Sequence, residues 1–129
     1  MVFVTADSCR PQLEGLTQLL VSAFPGSTIY QHTDLCRVPH DVLNNRIDAV
    51  LLGAEMERMS SLDLVQNLRR HKPELPVFII SQSNDFCEKA AAAGANAYFV
   101  LPDSKQQLLE TIRSVINKEG RTSQKRSSI

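Results

Sequence analysis

The stretch Asp48-Ala49-Val50-Leu51-Leu52-Gly53-Ala54-Glu55-Met56-Glu57-Arg58-Met59-Ser60-Ser61-Leu62-Asp63-Leu64-Val65 carries most of the information about the fold. Ala49 to Leu52 are apolar without interruption, so they lack the alternation of a half-exposed strand and the length of a buried helix. A short continuous run of this kind predicts a strand covered on both faces, the usual habit of parallel sheets. Ser60 or Ser61 then stands where a cap opens a helix, and Leu62, Leu64, Val65 and Leu68 fall on one face of it.

The same alternation extends in both directions. Val2-Phe3-Val4 predicts a first strand, and Pro11 stands where a first helical turn tolerates it. Leu13, Leu16, Leu19, Leu20 and Phe24 follow at helical steps until Pro25-Gly26 stops the helix. Ser27–Tyr30 predicts a weak second strand and Pro39–Asn45 a short second helix. Downstream, Val77–Ile80 predicts a fourth strand, Asp85–Ala93 an alanine-rich helix ended by Gly94, and Tyr98–Val100 a fifth strand. Ser104 caps a last helix bearing Leu108, Leu109, Ile112, Val115 and Ile116. Five strands each followed by a helix predict an α/β fold with helices on both faces of an open, doubly wound parallel sheet. The chain is too short for an eight-stranded barrel. Ligands of such sheets sit beyond the carboxyl ends of the strands, which directs attention to Thr5–Asp7, Gly53–Met56, Ser81–Ser83 and Leu101-Pro102.

Composition bounds the function. The 129 residues carry 14 basic and 14 acidic side chains. A neutral chain argues against nucleic-acid binding, whose footprint is a basic face, and against an acidic disordered chain. The zero divides unevenly: residues 1–117 carry −3, and the polar stretch 118–129 carries +3. The expected organisation is therefore a domain over 1–117 followed by a basic tail or linker over 118–129. Cys9, Cys36 and Cys87 are odd in number and widely spaced, which predicts reduced thiols in a cytoplasmic protein. No apolar run approaches the length of a membrane span, and MVFVTADSC lacks the basic start of a secretory signal.

At its strand ends the chain resembles the receiver domain of two-component response regulators, over residues 2 to about 117. Asp48–Leu64 is similar to the family's third strand and following helix, with Met56, Met59, Leu62 and Leu64 in step without a gap. Pro76–Ser81 resembles the fourth strand ending in its Thr/Ser, and Ala93–Pro102 the fifth strand with its Lys-Pro end. The resemblance implies a flavodoxin-like (CheY-like) five-stranded sheet of order 2-1-3-4-5 and a role in phosphorelay signalling.

The departures fall on the chemistry. A receiver uses a carboxylate nucleophile, a Mg²⁺ ion held largely by carboxylates, and a lysine that neutralises phosphoryl oxygens. By resemblance the nucleophile position is Gly53, the lysine position is Leu101, and the acid pair of the first strand is Ala6-Asp7. Asp7, Gly53, Ser81 and Leu101 thus form a degenerate phosphorylation site, with no residue assigned to catalysis and no Mg²⁺ expected. Gln82 follows Ser81 where a small residue is usual, and its amide is expected to reach into the vacated site. Ser81 and Tyr98 match the family's switch pair, although Ser81 also reads as a turn cap and Tyr98 as an ordinary strand aromatic. Pro102 matches a proline preceded by a cis bond, so a cis Leu101–Pro102 bond is expected.

Other groupings are weaker. His32, Cys36 and His40 follow four-residue steps, but Pro39 breaks the helix a zinc face would need, so a surface loop is the expectation. Asp41, Asp48, Glu55 and Glu57 form no acid/base pair and read as solvated. Cys87 reads as a small buried hydrophobe, with redox sensing as the alternative. The expectation that emerges is a pseudo-receiver, not an enzyme. It would bind a signalling partner or a second copy through its fourth helix, fifth strand and fifth helix (Asp85–Ala93, Tyr98–Val100, Ser104–Asn117), with a possible C-terminal output domain. Two alternatives stay open: phosphorylation on Asp7 or Glu55, and a small-molecule or redox sensor using the vacated site or Cys87.

Overall fold

The computed structural model describes residues 1–54, 56, 60–101 and 103–115. In chain order its elements are β1 (Val2–Ala6), α1 (Arg10–Ala23), β2 (Thr28–His32), α2 (Val38–Asn44), β3 (Ala49–Gly53), α3 (Ser61–His71), β4 (Val77–Ser81), α4 (Cys87–Ala93) and β5 (Ala97–Val100). Residues 105–115 form a further helix, α5. The strands pair in parallel in the order β2-β1-β3-β4-β5. Pro102 with its expected cis bond, Glu55, Glu57 and the tail 118–129 lie outside the described residues.

Alternation along the central strands builds two cores. Val4, Ala6, Val50, Leu52, Val77 and Ile79 face α2, α3 and α4, where they meet Val38, Leu64, Leu68 and Ala90. Phe3, Leu51, Phe78 and Ile80 face the other way, against Leu16 and Leu20 of α1 and Leu108 and Ile112 of α5. Every residue of β3 and β4 is buried, which is why both read as unbroken apolar runs. Thr5 shares the α1 side of β1, and its buried hydroxyl has no hydrogen-bond partner among the described residues.

The boundaries differ from expectation where strands run on into polar residues. β2 extends to His32, which the sequence places in a connection, and β3 and β4 end on Gly53 and Ser81. α4 begins at Cys87, two residues later than expected, because Asn84 to Phe86 are spent in a turn closed by Cys87 N to Asn84 O (3.2 Å). Gly94 ends α4 in the left-handed region at φ 105°. Ser60 is the α3 cap, its hydroxyl accepting from Asp63 N (3.4 Å).

Arg69 fastens the lower edge of this frame. Its guanidinium donates to Gly94 O (2.8 Å), Pro73 O (2.8 Å) and Leu75 O (2.6 Å), and to the Asn96 side chain. Asn96 in turn accepts from Val77 N (2.8 Å), so one cation ties α3 to the end of α4 and the start of β4. Burial lowers the Arg69 pKa from its ordinary value. Asp48, expected in solvent, accepts from Val2 N (2.7 Å) and pins the start of β1 beside β3.

Candidate functional site

Parallel pairing brings the predicted residues to one end of the sheet. Ala6 pairs with Leu52, Gly53 with Ile80, and Ser81 with Val100, so the residues just beyond them form a row. The ladder continues past the strands through Asp7 N to His32 O (3.1 Å), Ala54 N to Ile80 O (2.8 Å) and Leu101 N to Ser81 O (2.9 Å). Asp7, Gly53 and Ser81 thereby lie at the same end of the sheet.

Asp7 is nearly buried (5% exposed), and its Oδ1 accepts from Cys9 N (2.8 Å). Its carboxylate lies directly over Gly53. A β-carbon on Gly53 would stand 2.8 Å from Asp7 Oδ2 and 2.9 Å from Cγ, closer than real side chains come. The space that a side chain on residue 53 would use is therefore occupied, not vacant. Ser61, at the first turn of α3, donates its hydroxyl to Gly53 O and binds the helix start to the end of β3. Ser8 Oγ reaches Met56 Sδ (3.5 Å) across the same end.

Ser81 is buried, and its Oγ accepts from Ser83 N (3.2 Å), a local serine turn. Tyr98 packs against the α2–α4 core and donates its hydroxyl to Ser83 O (2.6 Å). Ser83 thus joins the two residues of the expected switch pair. The sequence signal for it was the Ser81-Gln82-Ser83 spacing, which places a backbone N–H two residues beyond a serine hydroxyl.

Three expectations are corrected, those for Gln82, Asp41 and Cys87. Gln82 does not turn into the strand-end site; its amide donates to Gln12 Oε1 of α1 (3.3 Å) on the surface. Leu101 packs toward the α1–α5 core, leaving no cationic side chain at its own position. The His32, Cys36 and His40 grouping disperses. His32 Nε2 meets Asp41 Oδ2, Cys36 is exposed in the β2–α2 connection, and His40 touches Asn44 (3.3 Å). Among the described residues no three His, Cys, Asp or Glu side chains converge as metal ligands. Asp41, read as solvated, is nearly buried because it partners His32. Cys87, read as buried, is exposed, as are Cys9 and Cys36.

A family model described as the response regulator receiver domain matches residues 4–113. The chain belongs to that family. Among curated relatives, the response regulator MprA of Mycobacterium sp. (strain KMS) is 27% identical over 117 residues, covering 89% of this chain and 50% of that protein. The glycerol metabolism activator of Pseudomonas putida is 28% identical over 111 residues, covering 81% of this chain and 48% of that protein. The receiver therefore spans about half the length of these relatives. Its fold also matches a response regulator receiver domain from Clostridium thermocellum (TM-score 0.80, 22% identity, 94% of this chain and 98% of that one). A signal receiver domain of an HD domain-containing protein from Pseudomonas fluorescens Pf-5 aligns similarly (TM-score 0.82, 21% identity, 95% and 91%). The chain is thus a receiver domain of the two-component response regulators. Among its described residues no helix is long and apolar enough to cross a membrane.

Proposed function

We propose that this receiver signals without aspartyl phosphorylation, as a protein-interaction module whose strand-end site is permanently closed. The observation that carries the reading is Asp7 over Gly53. Gly53 has no nucleophile, and the carboxylate next to it fills the space where one would stand. Leu101 supplies no ammonium to neutralise phosphoryl oxygens, so positions 53 and 101 offer neither the nucleophile nor the cation of phosphotransfer.

Mg²⁺ does not suit the described donors. Asp7 is the lone carboxylate among the described residues of this site, its Oδ1 is engaged by Cys9 N, and Ala6 and Gly53 offer only backbone. A hard cation bound without substrate phosphate wants more oxygen ligands than this. The burial of Asp7 also speaks against its serving as a substitute acceptor, because an acyl phosphate formed there would need room and solvation. The filled space over Gly53 speaks equally against a small molecule lodged at that point.

Signal transmission would then rest on surfaces. β5 is an edge strand, and the exposed Glu88, Lys89, Ala91 and Ala92 of α4 lie beside it, offering a face to a signalling partner, a second copy or an output domain. Ser81, Ser83 and Tyr98 lie just behind that face, held in one arrangement by the hydrogen bonds through Ser83. Intact-mass measurement after treatment with acetyl phosphate and Mg²⁺ tests the reading. No mass change is expected. A stoichiometric phosphoryl adduct would contradict it, and loss of that adduct in Asp7→Asn or Glu55→Gln would locate the acceptor.

A further inference from the structure

On the opposite side of the sheet a groove of about 210 Å³ opens between α1 and the start of α5. Leu16, Leu19 and Leu101 line it as apolar surface, while Gln12 and Gln82 bring their amides together at its rim. Among the described residues Lys105 is the one charged member of its lining, and it has no ion-pair partner there. An apolar interior with a few convergent polar groups is the usual make-up of a ligand site.

Gly15 gives the second observation. It stands in the middle of α1, where glycine costs about 1 kcal/mol relative to alanine. Neither backbone nor packing demands it: its φ is not positive, and a β-carbon there would meet nothing within 4 Å. What the glycine does is keep one wall of the groove open. The cost to the helix has no counterpart among the described residues, and an occupant of the groove would supply one.

We propose that this groove binds a small organic carboxylate with an apolar body. The carboxylate would lie on Lys105 and the Gln12 and Gln82 amides, and the body on the three leucines beside Gly15. The volume is below the roughly 300–1,000 Å³ of sites for drug-sized ligands, so the occupant is a single ring or short chain. Charge complementarity sets the class: one ammonium and amide donors select an anion over its neutral or cationic counterpart. The groove also touches the strand-end site, since Leu101 N donates to Ser81 O (2.9 Å), one step from the Ser83 bridge to Tyr98. The proposal does not depend on whether the domain is phosphorylated.

Titration of the ¹⁵N-labelled protein with benzoate, followed at the Gly15 amide and the Gln12 and Gln82 side-chain amides, provides the test. Saturable shifts are expected at these positions, with benzamide binding roughly tenfold more weakly for want of a charge-assisted bond. Lys105→Met should weaken benzoate to the level of benzamide. Gly15→Leu should abolish the shifts while the rest of the spectrum stays native, and Gly15→Ala should raise the melting temperature. Absence of saturation at tens of millimolar benzoate, equal binding of benzamide, or indifference to Lys105→Met would each overturn the proposal.

Discussion

The carboxylate of Asp7 lies over Gly53, 46 residues away, so closely that a β-carbon on residue 53 would have to displace it. This contact is what the proposed function rests on, because it places a buried carboxylate where a β-carbon on residue 53 would stand. Gly53 does not have a positive φ, and among the described residues Asp7 is what a β-carbon there would meet first.

A change of sign follows for Gly53→Ala. In the native background the new methyl group must push Asp7 off Cys9 N. A hydrogen bond to a charged group contributes about 1.5–3 kcal/mol, set against a gain of about 0.4–1 kcal/mol from a stiffer unfolded chain. Net destabilisation of about 1 kcal/mol is expected. In an Asp7→Ala background the same change should stabilise by about 0.5 kcal/mol, and urea denaturation of the four proteins of the cycle measures the coupling.

Arg69 and Gly94 form a second coupled pair. Arg69→Ala strands three backbone carbonyls and the Asn96 amide, and should cost roughly 3 kcal/mol. Arg69→Lys should recover less than half, because a single ammonium cannot span acceptors on three segments. Gly94→Ala combines a left-handed residue with a β-carbon 2.9 Å from Arg69 Cγ. It should cost about 2–3 kcal/mol, falling by roughly 1 kcal/mol when Arg69 is already alanine. Denaturant midpoints at constant slope check both.

Thr5→Val should make the protein more stable. The Thr5 hydroxyl is fully buried on the α1 side and lacks a partner among the described residues, so burying it costs free energy that an isosteric methyl group avoids. A gain of about 1 kcal/mol is expected in thermal or urea unfolding. A loss would mean that the hydroxyl has a partner in solution.

Most of the fold was legible in the sequence because it rests on local patterns. The runs Ala49–Leu52 and Val77–Ile80 are unbroken because both faces of the sheet are covered, and the leucines of α1 recur because one face is. The ends of β2, β3 and β4 were not legible, since His32, Gly53 and Ser81 extend their strands through backbone pairing that polarity and glycine disguise. The expectation that Gly53 and Leu101 stand at the nucleophile and lysine positions came from resemblance alone. The filling of the site by Asp7 was not legible, because it depends on which way a side chain turns. Arg69 gave no signal at all: its acceptors Gly94 and Asn96 are 25 and 27 residues away, and a helical arginine ordinarily reads as solvated.

Tyr98→Phe addresses the switch pair. Removing the hydroxyl deletes the bond to Ser83 O and should cost about 1 kcal/mol. Faster amide exchange is expected at Ser83 and its neighbours, with β5 unchanged. If exchange there is unaffected, Ser83 does not hold Tyr98 in place.

Beryllofluoride, a stable mimic of a phosphoryl group on a carboxylate, tests the closed site most directly. Titrated with Mg²⁺ into the native protein, it should give no bound ¹⁹F resonance and no shift of the Asp7, Gly53, Ser81 or Tyr98 amides. A saturable bound resonance accompanied by shifts at those four residues would contradict the account.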